Sequence, residues 1–120
     1  MKRVPCILST DRRRIVVALA LLDTPEDRAQ GYRGRMPPAS DDEGLLFLWP
    51  AMTHGPFNMR GVPFGLDLCV GAEDGTVTGC CTMPANSADL FTPAHPFRFA
   101  VELRAGWRTR NGVPSRLALA

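Results

Sequence analysis

"LDLCVGAEDGTVTGCCTM", residues 66–83, is the stretch that decides the fold class. Asp74-Gly75 is a strong turn dipeptide, because glycine enters the left-handed backbone region that tight turns need. The arms on either side are rich in Leu, Val, Thr and Cys and suit a pleated, half-buried surface. The stretch therefore predicts an antiparallel hairpin over 66–83. A hairpin alone is marginal in water and needs more strands beside it. "IVVALALL" (15–22) and "GLLFLW" (44–49) read as strands buried on both faces, the second ended by Pro50. "FRFAVELRAG" (97–106) alternates Phe97, Phe99, Val101 and Leu103 with Arg98, Ala100 and Glu102, the pattern of a half-buried strand. "RLALA" (116–120) is a candidate last strand.

Helical signals are short. In "DTPEDRAQGYRGR" (23–35), Thr24 can cap, Pro25 suits the first helical position, and Glu26 and Asp27 favour the positive end. Gly31 and Gly34 limit this helix to about two turns, so it is expected over 24–31. Arg28, Tyr32 and Arg35 then share one face, a cationic strip beside an aromatic ring. A second helical turn is expected near "GWRTRNG", stopped by Gly112. "MPPASDDEG" (36–44), "AMTHGP" (51–56) and "PANSADLFTPAHP" (84–96) read as loops. The last is long enough to be functional or disordered.

A chain of 120 residues suggests one domain, which can bury about two-thirds of its unfolded surface without a disulfide or metal. Glycine and proline number 11 each, against an average of roughly 12% for the two combined. That excess points to short elements and a mainly β protein. The net charge of +2 is unevenly spread: residues 1–14 and 104–116 are strongly basic and the body between them is acidic. Basic ends on an acidic body suit either a polyanion such as nucleic acid or a plain solvated surface. The arginines lack the interleaved aromatics of a nucleic-acid platform, which disfavours the first. The four cysteines, Cys6, Cys69, Cys80 and Cys81, form no C-x-x-C, and His54 and His95 are not at metal-ligand spacing to them. No metal, cofactor or disulfide is expected. The eight-residue apolar run at 15–22 is too short to span a bilayer, and it leads into a helix start, not a cleavage site. A cytoplasmic protein with no membrane contact is the expectation.

Read in order, "DTPEDRAQGYRGR", "DEGLLFLW", "FNMRGVPFGLDLCV", "EDGTVTGCCTMPA" and "FAVELRAGW" resemble the bacterial and archaeal family named domain of unknown function 192. The family pattern runs T-P-x-x-R-x-x-G-L, E-G-M-L-F, F-W-M-K-N-T-x-x-P-L-D, D-G-x-V, a Met-Pro step, and Leu-Glu-x-x-x-G. Here it is met by Thr24, Pro25, Arg28 and Gly31, by Glu43, Gly44, Leu46 and Phe47, and by Phe57, Met59, Leu66 and Asp67. It continues through Asp74, Gly75, Val77, Met83 and Pro84 to Glu102, Leu103 and Gly106. The likeness spans roughly 15–113. Departures are Asn58 for Trp, Arg60 for Lys, Gly61-Val62 for Asn-Thr, and Gly65 for Pro. The resemblance implies a two-sheet antiparallel β-sandwich with one or two short helices, a single domain expected over 15–120, and the charge distribution marks a basic N-terminal segment, 1–14, before it. The resemblance implies no activity.

"PFNMRGVPFGLDL" (56–68) carries one charge of each sign, Arg60 and Asp67, around glycines and prolines that break a strand. On an unbroken strand the two would face opposite sides. A kink could bring them together, either as an ion pair holding the bend or as part of a pocket. The candidate ligand-binding residues are Arg28, Arg35, Phe57, Met59, Arg60, Asp67 and Glu102, and an arginine-lined pocket suits a small anion carrying carboxylate or phosphate. The expected role is a small non-catalytic binding or accessory module. Two alternatives stand beside it: a hydrolase-like enzyme using Asp67 and Glu102 or a Cys–His pair, and a protein touching nucleic acid through its basic ends. No G-x-S-x-G, H-E-x-x-H or P-loop is present.

Overall fold

The computed structural model describes all 120 residues, Met1–Ala120. In chain order the elements are β1 (Arg3–Thr10), β2 (Arg14–Leu22), α1 (Pro25–Gln30), β3 (Glu43–Thr53), β4 (Leu66–Gly71), β5 (Val77–Met83), β6 (Phe97–Arg104), α2 (Trp107–Asn111) and β7 (Pro114–Leu119). The protein is mainly β with two short helices, as expected. The sandwich of two sheets is not what forms. All seven strands join one sheet in the order β5-β4-β6-β3-β2-β1-β7. Nor is it wholly antiparallel: α1 carries the chain back, so β2 and β3 run parallel from Ala18↔Glu43 to Leu22↔Phe47.

The sheet curls. Val77 of β5 and Leu117 of β7, from opposite ends of the strand order, pack on the same apolar cluster, built around Leu8, Val17, Leu19, Val101, Leu103 and Trp107. The two edges meet at the β4–β5 turn, where the Leu117 N–H donates to Gly75 O at 2.8 Å and Thr76 bridges Arg116. A second cluster, with Leu22, Leu45, Phe47, Leu66, Leu68 and Phe97, covers the other face and is roofed by Tyr32, Met59 and Val62. Alternation in sequence reports that a strand face is buried. It does not say whether a second sheet or the far side of the same sheet does the burying, and this is why the sandwich reading failed.

The decisive hairpin forms. The Gly75 N–H donates to Ala72 O at 3.0 Å, the Thr76 N–H donates to Asp74 Oδ1 at 2.9 Å, and Gly75 sits at φ +91°. Four other details depart from expectation. The basic segment 1–14 is no appendage: Cys6 and Leu8 are buried, and β1 lies between β2 and β7. β2 is buried on both faces only in its second half, since Val16 is 61% exposed. β3 runs through Pro50 to Thr53; the exposed proline falls where the register with β6 breaks, between Leu48 and Thr53, so no ladder bond is lost there. In β6, the face holding Ala100 and Glu102 is buried as well, and Phe97, beyond that break, joins the cluster opposite to Phe99.

Helix α1 begins as its sequence requires. Thr24 Oγ1 accepts from the Asp27 N–H at 3.2 Å, and Gly31 ends the helix at φ +52°. Thr24→Ala should cost about 1 kcal/mol, read as a lower urea midpoint at unchanged slope. An unchanged midpoint would mean that the cap is redundant. No helix is long and apolar enough to cross a membrane.

Candidate functional site

Residues 56–65 form no regular strand. Phe57 makes a single bridge with Phe91, their N–H and O groups exchanging bonds of 2.9 Å. A turn follows: Asn58 Oδ1 accepts from the Arg60 N–H at 3.1 Å and Met59 O from the Val62 N–H at 3.1 Å. The turn drives Met59 and Val62 into the core and leaves the Arg60 side chain exposed.

Between this loop, the end of α1 and the sheet lies a cavity of about 260 Å³. Its floor is aromatic. Trp49 and Phe57 each pack against Phe97, with ring centroids 5.1 and 5.5 Å away, and Phe47 stacks on Trp49 at 6.1 Å. Three arginines border it, Arg28, Arg33 and Arg60. Arg28 donates from Nη1 to Leu48 O at 2.9 Å and lies over the Trp49 ring, 5.7 Å from its centroid. Neither Arg28 nor Arg60 belongs to any of the ion pairs, which are Arg3–Glu43, Arg98–Glu73, Arg108–Asp67 and Arg110–Asp41.

Glu102 is the unusual member of this wall. It is 5% exposed and stands opposite Leu45 and Leu68 in the sheet, and no protein group donates a hydrogen bond to it. Its oxygens reach the cavity surface, since no side-chain polar atom is both sealed and unpartnered. Burial pushes its carboxyl up to about 8, so it is mostly protonated at neutral pH. Gly31 keeps the space above it clear. A Cβ there would lie 3.5 Å from Phe47 Cζ and 3.8 Å from Glu102 Oε1, on a backbone that only glycine adopts easily.

Of the seven sequence candidates, Arg28, Phe57, Met59, Arg60 and Glu102 line this one cavity. Arg35 does not; its Nε donates to Gly31 O at 2.7 Å, and it borders a separate depression with Arg3 and Glu43. Asp67 does not either, and its pairing with Arg60 is not formed. Asp67 is 2% exposed, and its Oδ2 accepts from the Arg108 backbone N–H at 3.0 Å and from Arg108 Nε at 3.4 Å. Gly106 starts α2 with no side chain to cap it, so Asp67 supplies the cap from β4. Asp67 aligns with Leu103 and Glu102 with Leu68, which puts the two carboxyls on opposite faces of the sheet. His54 Nε2 bonds Pro93 O at 3.0 Å, and no cysteine is hydrogen-bonded to a histidine. The basic ends do meet beside α2: Arg12 Nη1 donates to Thr109 O at 3.3 Å, and Arg13 bonds Asn111. Arg110 in that patch is paired with Asp41 at 2.7 Å. Of the aromatic floor, sequence reasoning named only Phe57 as a site residue and missed Phe47, Trp49 and Phe97. Phe47 and Trp49, two apart on one strand, were the available signal.

The family model of DUF192, described as an uncharacterized ACR, matches residues 6–116. Among solved structures, the chain is similar to a protein from Sinorhizobium meliloti described as a proposed transcription regulator. The two share 25% identity and a TM-score of 0.89 over 99% of this chain and 93% of that one. It is also similar in fold to a protein of unknown function from Novosphingobium aromaticivorans, at 24% identity and TM-score 0.88 over 96% of this chain and 84% of that one. The comparison with curated proteins found no match. Matched over nearly its whole length, and carrying the ordered motifs from Thr24-Pro25 to Gly106, the chain belongs to the DUF192 family.

Proposed function

We propose that this protein is a small non-catalytic binding module whose cavity takes an organic anion with an apolar body. The observation that carries the reading is Glu102, an unpartnered carboxyl in the wall of a cavity that Arg28, Arg33 and Arg60 also line, none of these arginines being in an ion pair. Guanidinium forks grip a carboxylate or phosphate through paired hydrogen bonds. The rings of Trp49, Phe57 and Phe97 take the apolar part. A protonated Glu102 donates a hydrogen bond to the ligand and does not repel its charge. At about 260 Å³ the cavity falls just below the usual range of ligand pockets, which starts at about 300 Å³, so the ligand is small.

Trp49 reports on occupancy, because Trp107 is fully buried in the other cluster. Phenylacetate and phenyl phosphate should change Trp49 fluorescence saturably. Arg60→Lys keeps the charge and loses the fork, and should weaken binding about tenfold, or ~1.4 kcal/mol, at unchanged melting temperature. The wild-type affinity should also fall as pH rises through about 8, where Glu102 ionises. No response to either anion, or equal binding by Arg60→Lys, would overturn the reading.

A second reading rests on the basic ends meeting beside α2 and on the likeness to the S. meliloti protein. Contact with nucleic-acid phosphates through Arg12 and Arg13 would show as duplex retention that drops steeply between about 50 and 200 mM salt.

A further inference from the structure

Cys69 on β4 and Cys80 on β5 stand directly opposite each other in the antiparallel ladder. Opposite residues have Cα atoms about 4.5 or 5.5 Å apart, inside the disulfide range of about 4.4–6.8 Å, and their side chains share a face. All four cysteines are free thiols. Cys81, one residue on, turns to the other face and packs on the cluster with Leu68. Cys6 lies on β1, at the far end of the strand order. Cys69 is fully buried and Cys80 partly exposed.

We propose that Cys69 and Cys80 form an oxidation site in which the Cys80 thiolate attacks a hydroperoxide and Cys69 resolves the product into a disulfide joining β4 to β5. The neighbours assign the roles. Asp67 and Cys69 lie two apart on one strand and Thr82 and Cys80 two apart on the other, so all four share a face. Arg108, held by Asp67 and by Thr82 Oγ1 at 3.0 Å, sets a fixed positive charge beside them. The neighbouring Cys69 thiol and Arg108 pull the Cys80 thiol below its ordinary range, while the Cys80 thiol opposite it and burial push Cys69 up. The Cys80 thiolate attacks the peroxide oxygen, the O–O bond breaks, and the leaving oxygen takes up the proton that Cys80 released. Cys69 sulfur then attacks the Cys80 sulfenic acid. The S–O bond breaks, and the hydroxyl leaves as water with the Cys69 proton. Two thiols and one hydroperoxide become one disulfide, one alcohol (or water) and one water.

The test uses the whole reduced protein, hydrogen peroxide, and alkylation in denaturant. Two of the four thiols should disappear and return on reduction. Cleavage after glutamate places Cys69 in fragment 44–73 and Cys80 with Cys81 in fragment 74–102. The oxidised protein should keep these fragments joined, in wild type and in Cys81→Ser alike. Cys69→Ser should instead leave a sulfenic acid on Cys80, trapped by dimedone. Four surviving thiols under peroxide that fully oxidises free cysteine, a Cys80–Cys81 link, or a link between two chains would each overturn the proposal. The wild-type and Cys81→Ser fragments decide it even if Cys69→Ser fails to fold.

Discussion

Urea unfolding of the wild type and of Glu102→Gln should diverge steadily as pH rises from about 5 to 8. An ordinary glutamate ionises near 4.5, and burial moves Glu102 to about 8 in the folded protein. Between those values the folded chain holds one more proton than the unfolded chain, so its stability falls as pH rises. The contribution is fully present below about 4.5 and gone above about 8. At 1.36 kcal/mol per pH unit, the loss across that window is about 4–5 kcal/mol. Glutamine has nothing to ionise, so the variant should lack this loss and be the more stable protein at pH 8. Parallel profiles would show that Glu102 is not a desolvated carboxyl, and the reading of the cavity would fall with it.

Asp67→Ala should destabilise the protein by about 3 kcal/mol. Breaking a buried ion pair typically costs ~3–5 kcal/mol because one charge is left unpartnered. The lower end applies, since the Arg108 side chain is 24% exposed and can turn to water. The backbone N–H of Arg108 cannot, and α2 loses its only side-chain cap. Asp67→Asn keeps an acceptor and should lose less. A loss under about 1 kcal/mol for alanine, read from the urea midpoint, would show that other contacts hold α2.

Local chemistry was legible in the sequence. Asp74-Gly75 announced the hairpin, and Thr24-Pro25 announced α1, because turns and caps are decided by neighbouring residues. Long-range partners were not. Asp67 was expected near Arg60, seven residues away, but its partner is Arg108, 41 residues on and brought to it by the β4–β6 pairing and the turn into α2. Glu102 was a candidate by its place in the family pattern. That it accepts no hydrogen bond is a property of the cavity around it, which no local pattern encodes. The single sheet was hidden for the same reason: seven strands with buried faces fit a sandwich and a curled sheet equally well.

The pairing of β1 with β7 has a kinetic consequence. Cys6 meets Leu119 and Leu8 meets Leu117, so these partners lie more than 100 residues apart in the chain. On a ribosome, β1 and β2 emerge and can pair early, but the outer edge of β1 stays open until β7 has been made. Such non-local closure slows folding, and an open edge is a template for pairing with another chain. The nascent protein should therefore be most prone to aggregate after β2 is made and before β7 docks, and a chain shortened to end before Pro114 should remain in that exposed state.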